Sequence, residues 1–439
     1  MKAKIITTFD YILIGCVILL VTLGIMFIYS SGINQNGILV KKEYLRQIMW
    51  AIVGLVIMVL VAFIDYRKYN RYLKYVYAAV IVVLVLTRIL ARDINGARSW
   101  IGIGGLGIQP SEPSKIIFIL FLAYYLERSQ NEKPLRRFIY ATVIMIVPMG
   151  LILIQPDMGT ASVYLAVFLF MCFIAGIPVR YLMIVLATGL LSIVFAVLPD
   201  WETVIFKRSI AVISVLTNIK LRIIVIIASL AITVIGILGQ IFFKKRYYYW
   251  ITYVAAIFAV ALVASLGADK VLKAYQKERL IIFLDPYSKP EGSGYHLIQS
   301  LIAIGAGGFS GRGFLNGTQS HYRFLPQQST DFIFSIISEE FGFIGGVTVF
   351  ALYLIIIFRI VKIMRNATSV YALYICAGIL GMFLYHFMVN VGMVMGIMPI
   401  TGIPLPFLSY GGSALVTNMI AVGLLLSINA RRLDFAVAV

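Results

Sequence analysis

The chain has 439 residues, 61% of them hydrophobic and 13% charged, more apolar surface than a soluble domain can bury, which points to an integral membrane protein. Lys and Arg (37) outnumber Asp and Glu (18), a formal charge of +19. The basic residues lie in short clusters beside apolar runs and not on one face, which argues against nucleic acid as a partner and for anchoring of loops on the cytoplasmic side. Cys16, Cys172 and Cys376 lie inside apolar runs, and His296, His321 and His386 have no metal-ligand spacing, so neither a disulfide framework nor a zinc site is expected.

Residues 11–29 form the first apolar run, after Lys2 and Lys4 and without a small-residue cleavage site. This reads as an uncleaved first span with a cytoplasmic N-terminus. Spans two and three are predicted at 48–64 and 75–90, separated by a stretch containing Arg67, Lys68 and Arg71. The loop 92–109 that follows holds Arg98, Trp100 and four glycines, Gly102, Gly104, Gly105 and Gly107, which permit tight turns. It runs into Pro110, Ser111, Glu112 and Pro113, a helix start with proline and an acid in the first turn. Taken alone, these residues are a helix cap beside an interfacial Trp100. Taken with Lys115, three residues on from Glu112 along one helix face, they are ionisable groups at a depth where such groups usually face a cavity.

Span four is predicted at 116–126, extended back to Glu112, and spans five and six at 138–154 and 160–174. Between the last two lies Asp157, either the cap of the helix that begins near Thr160 or a substrate or ion contact. Spans at 181–198, 221–243 and 248–266 come next, with Lys244, Lys245 and Arg246 between the second and third of these. Lys207, Arg208, Lys220 and Arg222 fall on the outer side in this scheme, against the positive-inside rule. Residues 204–217 are therefore expected as an amphipathic helix lying on the membrane surface.

The chain then breaks into a polar, glycine-rich loop, 267–331. A loop of that length is usually functional or disordered, and the apolar residues threaded through this one argue for order. Residues 275–286 carry an amphipathic pattern in which Arg279 faces a polar region, as either a phosphate contact or one half of a solvated salt bridge. The run 305–313 has the composition of a phosphate-cradling nest. Asp331 differs from these, because Thr330-Asp331 is followed at once by an apolar run that also holds Glu339 and Glu340. An unpaired carboxylate there costs roughly 2.5–3.5 kcal/mol at mid-membrane and less near the interface, so it needs a partner or a function. Spans at 341–358, 370–394 and 414–428 complete the chain, the last preceded by a rigid turn with Pro399, Pro404, Pro406, Gly411 and Gly412. The basic clusters place both termini in the cytoplasm and bring the loops 92–109, 155–159, 267–328 and 395–410 to one outer face. One extracytoplasmic site is expected.

In order along the chain, NGARSWI with QPSEPSK, then QPDMGT, GSGYHLIQSLIAIGAGGFSGRGFLNGTQS, FLPQQSTDFIF and PLPFLSYGGSAL resemble the SEDS family (shape, elongation, division and sporulation). GTQS, FLP and GIPLP look more like its rod-elongation branch. The resemblance implies an all-α polytopic membrane bundle of ten core spans, with residues 199–266 as an insertion that adds two. It implies a peptidoglycan glycosyltransferase that polymerises lipid II, a polyprenyl-pyrophosphate-linked disaccharide-pentapeptide, at the outer face of the cytoplasmic membrane. It also implies a class B penicillin-binding protein as transpeptidase partner, alongside other elongation-complex membrane proteins.

Residue by residue, the family's essential acid falls on Asp331, its outer-loop tryptophan on Trp100, and the Glu and Lys of its PSE-x-x-K motif on Glu112 and Lys115. Gln299 and Ser409 are further substrate-binding candidates within the matched motifs, while Asp157, Glu339 and Glu340 stay open between structural and functional roles. Displacement of a pyrophosphate needs a base for the acceptor hydroxyl and positive charge for the leaving group. Asp331 is the candidate base, and Lys115, Arg98 and Arg279 are candidates for the pyrophosphate. A divalent cation, Mg or Mn, could share that last task, although no dedicated cage is visible. The chain departs from the family pattern at Ser329 and Gln327, where His and Glu are common, so a histidine assisting Asp331 loses support. Two rivals remain: a lipid flippase, which needs two-sided access, and a non-catalytic scaffold, in which Asp331 is replaceable.

Overall fold

A computed structural model describes residues 8–94, 97–103, 106–202, 213–288, 292–322, 324 and 327–432. Lys2, Lys4, Gly104, Gly105, Lys207, Arg208 and most of the expected surface helix 204–217 lie outside the described residues. The fold is an all-α polytopic membrane bundle with one small sheet. Its helices are α1 (Tyr11–Ser31), α2 (Glu43–Phe63), α3 (Leu73–Leu90), α4 (Ser111–Arg128), α5 (Pro134–Ile154), α6 (Met158–Ile174), α7 (Val179–Trp201) and α8 (Ser214–Thr217). They continue as α9 (Ile219–Phe243), α10 (Arg246–Val271), α11 (Ala274–Leu284), α12 (Ser293–Gly307), α13 (Thr318–His321), α14 (Ile333–Arg365), α15 (Val370–Val394) and α16 (Gly412–Ala430). Every predicted span coincides with a helix. Ten of the described helices are long and apolar enough to cross a membrane. Of the other two predicted spans, α6 has 17 residues, and α4 carries Glu112, Lys115, Glu127 and Arg128.

The loop after α3 is not irregular. It forms an antiparallel meander of β1 (Arg92–Ile94), β2 (Ala97–Ile103) and β3 (Leu106–Ile108). Ile94 pairs with Ala97, and Ile103 with Leu106, so the intervening dipeptides are Asn-Gly and Gly-Gly, the residues that two-residue hairpins prefer.

The chain divides into two compact units, residues 1–177 with 295–439, and residues 178–294. In the first, α15 and α16 are buried along most of their length; α16 packs on α2, α15 on α6, and α14 on α1 and α15. Arginines close one end of this unit by binding the carbonyls that helix C-termini leave unpaired. Arg137 donates to Leu126 O at 2.7 Å and Ala175 O at 2.6 Å, and Arg431 to Phe63 O at 2.7 Å and Ser427 O at 3.0 Å. Arg359 pairs with Asp10, the N-cap of α1, at 2.7 Å. In the second unit α10 packs on α7 and α9. Arg222, expected on the outer side against the positive-inside rule, is buried there, donating to Leu216 O at 3.2 Å and to the Ser265 hydroxyl. A guanidinium satisfied inside protein is no topological signal, and that removes one exception to the rule.

Candidate functional site

Asp331 lies in a turn that leads into α14. The Gln327 carbonyl accepts from the N–H groups of Thr330 (3.3 Å) and Asp331 (3.1 Å) and from Thr330 Oγ1 (3.2 Å). Gln327 itself has φ +53°, a left-handed conformation that persists in a side-chain-bearing residue only when its surroundings over-determine it. They do so from four directions. Gln328 Nε2 donates to Ser320 O at 3.0 Å on α13, and Ser329 Oγ donates to Glu43 Oε2 at 2.6 Å on α2. Tyr410 N–H donates to Ser329 O at 2.8 Å. Asn390 Nδ2 of α15 donates to Asp331 O at 3.1 Å and to Ile403 O at 2.8 Å. Phe332, Ile333 and Phe334 are buried behind the turn, whereas Asp331 stays half-exposed. The acid is thus displayed on a fixed platform.

A second polar cluster forms at the start of α4. Lys115 and Glu112 are both buried and pair at 2.9 Å, as expected for two residues one helical turn apart. Lys115 Nζ also lies 3.3 Å from His386 Nε2, and His386 Nδ1 lies 3.0 Å from Pro404 O. An ammonium only donates and a carbonyl only accepts. The two contacts therefore assign His386 the tautomer that carries its proton on Nδ1. Glu112 Oε2 has no hydrogen-bond partner among the described residues. Lys115, a candidate for the pyrophosphate, is thereby enclosed and spent on Glu112 and His386.

Gln109 ties the sheet to the neighbouring helices. Its N–H donates to Ser413 Oγ of α16 at 3.0 Å, and its Nε2 to Asp157 Oδ2 at 2.7 Å. Asp157 also accepts from Thr160 N–H at 3.0 Å as the N-cap of α6, the capping alternative read from the sequence. Burial pushes its carboxyl above the usual range. Trp100 stands on β2 with its ring across β3, so close that a Cβ on Gly107 would lie 3.1 Å from it. Arg98 is exposed, its N–H donating to Gln155 O at 3.4 Å. Arg279 belongs to the second unit, its guanidinium 5.6 Å from the Tyr275 ring centre. Gln299 is half-buried on α12. Ser409 is buried, its hydroxyl accepting from Leu405 N–H at 2.8 Å, so it locks the proline-rich turn from within.

The glycine run 305–313 is no phosphate nest. Gly342 (φ 62°, ψ −153°) interrupts α14, and the residues from 308 to 313 supply the hydrogen bonds that the helix loses there. Arg312 N–H donates to Glu339 O (3.1 Å) and Gly313 N–H to Glu340 O (2.9 Å), while Phe343 and Ile344 N–H donate to Gly308 O (2.9 Å) and Phe309 O (3.3 Å). Amides committed to carbonyls cannot also cradle an anion. Beside the break, Glu339 accepts from Gln319 N–H (2.8 Å), Ser320 N–H (3.3 Å) and Thr318 Oγ1 (3.1 Å). Glu340 accepts from the Ser30 hydroxyl.

Among the described residues no group of three or more His, Cys, Asp or Glu side chains could hold a metal ion. Glu43, Glu112 and Asp157 each have a different partner, Ser329, Lys115 and Gln109. Glu43, Gln47 and Asn390 are not legible as site residues in the sequence, and His386 is read there only as lacking metal-ligand spacing. Their signal, a polar residue within an apolar helix or a lone acid in a first turn, is too common to be read without the fold.

The model of the FtsW/RodA/SpoVE family, described as cell cycle proteins, matches residues 10–207 and 200–433. Peptidoglycan glycosyltransferase RodA of Treponema pallidum is 51% identical over 433 residues, 99% of this chain and 100% of that one. Peptidoglycan glycosyltransferase MrdB of Escherichia coli is 31% identical over 93% of this chain and 90% of its own. Among solved structures, a chain of a peptidoglycan synthase complex, solved to show how polymerisation and crosslinking are coordinated, is 26% identical with a TM-score of 0.68, covering 97% of this chain and 98% of that one. The crystal structure of the rod shape determining protein RodA of Thermus thermophilus shares the fold, with a TM-score of 0.60 at 23% identity over 97% of each chain.

Proposed function

The chain belongs to the FtsW/RodA/SpoVE family and is a peptidoglycan glycosyltransferase of cell elongation; from that premise we propose that it polymerises lipid II at the outer face of the cytoplasmic membrane, with Asp331 as general base. The observation that carries this reading is the platform around Asp331: a half-exposed acid on a turn clamped from four sides beside buried apolar residues. A base must be held in a fixed direction relative to the hydroxyl it serves. In the step that follows, the acceptor hydroxyl loses its proton to Asp331. Its oxygen forms the new bond at the anomeric carbon while the bond to the pyrophosphate oxygen breaks, with inversion, and the polyprenyl pyrophosphate leaves. Arg98, exposed on β2, is a candidate cation for that leaving group. Trp100 offers a flat apolar face to a sugar ring.

The partner in this reading is a class B penicillin-binding protein. Its membrane helix would pack on the spans beyond Glu340, where α14 exposes Phe343, Val347, Leu354 and Phe358. A chain of a complex that couples polymerisation to crosslinking shares this fold, which supports the assignment.

One variant tests both halves. Asp331→Asn keeps size and hydrogen bonding but cannot accept a proton near neutral pH. Purified with lipid II, it should lose about 10²–10⁴-fold in polymerisation, read from glycan products resolved by size, and still co-purify with the transpeptidase. Long glycan at the wild-type rate refutes Asp331 as the base. Recovery of no transpeptidase after crosslinking in native membranes removes the partner.

A further inference from the structure

We propose that Glu43 is a positioning residue for Asp331, acting through Ser329. The proposal rests on the reading of Asp331 as the base. Ser329 lies two residues before Asp331 and is buried, and its hydroxyl donates to Glu43 Oε2 at 2.6 Å. A hydroxyl bound to a carboxylate makes a short, charge-assisted bond, roughly twice as strong as a neutral one. Glu43 sits in the first turn of α2, where an acid suits the helix dipole in any case. Its other visible partner, Lys41 at 3.7 Å, is more than half exposed and adds little.

The case for positioning comes from a closed ring of contacts. One turn along α2, the buried Gln47 donates from Nε2 to Ser409 O at 3.2 Å and accepts from Gly411 N–H at 3.3 Å. Those two residues flank Tyr410, whose N–H donates to the Ser329 carbonyl at 2.8 Å. Glu43 and Gln47 share one helix face at i and i+4. The side chain of Ser329 is therefore fixed by α2 directly, and its main chain by α2 through Tyr410. Neither contact touches the Asp331 carboxyl. Together they set the direction in which the turn presents it, against the left-handed strain at Gln327.

The test uses the full-length protein and lipid II, with kcat and KM measured for Glu43→Ala, Ser329→Ala, the double variant and Glu43→Gln. A misplacement of about 1 Å at a reacting group can cost about 10²-fold. Glu43→Ala should accordingly lower kcat about 10- to 100-fold with KM within about twofold of wild type. Ser329→Ala should match it, and the double variant should be no worse than either, because both remove one interaction. Glu43→Gln keeps an acceptor oxygen for Ser329 and should restore most of kcat. Wild-type kcat in Glu43→Ala overturns the proposal, as does an effect on KM alone, a loss that multiplies in the double variant, or a Glu43→Gln protein as slow as Glu43→Ala. Asp331→Asn, measured with Glu43 intact, separates the two ideas: an active Asp331→Asn fells the base reading, and an inactive one beside an unaffected Glu43→Ala fells the positioning role alone.

Discussion

At the scale of single residues, the acid at 331 was legible because a carboxylate beside an apolar run has few bland explanations. Its supports were not, since Ser329, Glu43 and Asn390 acquire meaning only when α2, α15 and the 327–331 turn meet. The Glu112–Lys115 pair was legible as a pair, but its burial was not, because His386 closes it from a helix far along the chain. That burial has a measurable consequence. Removing one member of a buried ion pair leaves the other uncompensated, at a cost of about 3–5 kcal/mol, whereas replacing both is often neutral. Glu112→Gln should therefore lower the thermal midpoint of the purified protein sharply, and Glu112→Gln with Lys115→Met should recover most of the loss. A double variant less stable than the single would show that the ammonium serves some other partner.

At the scale of elements, helices are legible because period and length of an apolar run both survive in the sequence. The meander is not legible although Asn-Gly and Gly-Gly stand at its turns, because the strands beside them are only three to seven residues long. The glycine run misled for the opposite reason: composition alone cannot distinguish amides that await a ligand from amides already spent. The break in α14 makes the distinction testable. A Cβ on Gly311 would stand 2.1 Å from Glu340 O at φ +80°, and one on Gly342 would stand 2.4 Å from Gly311 N at φ +62°. Gly305, in the same run, has nothing within 4 Å. Gly311→Ala and Gly342→Ala should each cost more than about 3 kcal/mol, in the range reserved for backbone strain plus overlap. Gly305→Ala should be neutral or better by up to about 1 kcal/mol. Yield and melting of the three purified variants decide it, and equal behaviour would mean that the loop does not repair the helix as described.

At the scale of the whole molecule, sidedness is the property on which the proposed site depends, because lipid II can reach Asp331 only if that end of the first unit faces outward. Exposed basic residues in the loops at one end, Lys68, Arg71, Lys133, Arg136 and Arg365, agree with a cytoplasmic placement of that end. The helices α9 and α10 raise a separate question. Two added spans return the chain to the side it left, so the orientation of everything before and after them is the same whether they cross the membrane or lie in its surface. Only a probe inside the hairpin can tell. The three native cysteines are buried, which leaves a quiet background for labelling. A cysteine at Lys245, between α9 and α10, should react with a membrane-impermeant thiol reagent only after the membrane is opened. One at Ile397, exposed in the turn between α15 and α16, should react in intact cells. Reaction at Lys245 from outside, with Ile397 also labelled from outside, would leave the Asp331 face where it is proposed and show that α9 and α10 do not cross. Protection of Ile397 in intact cells would place Asp331 on the wrong side for its substrate and remove the proposed reaction with it.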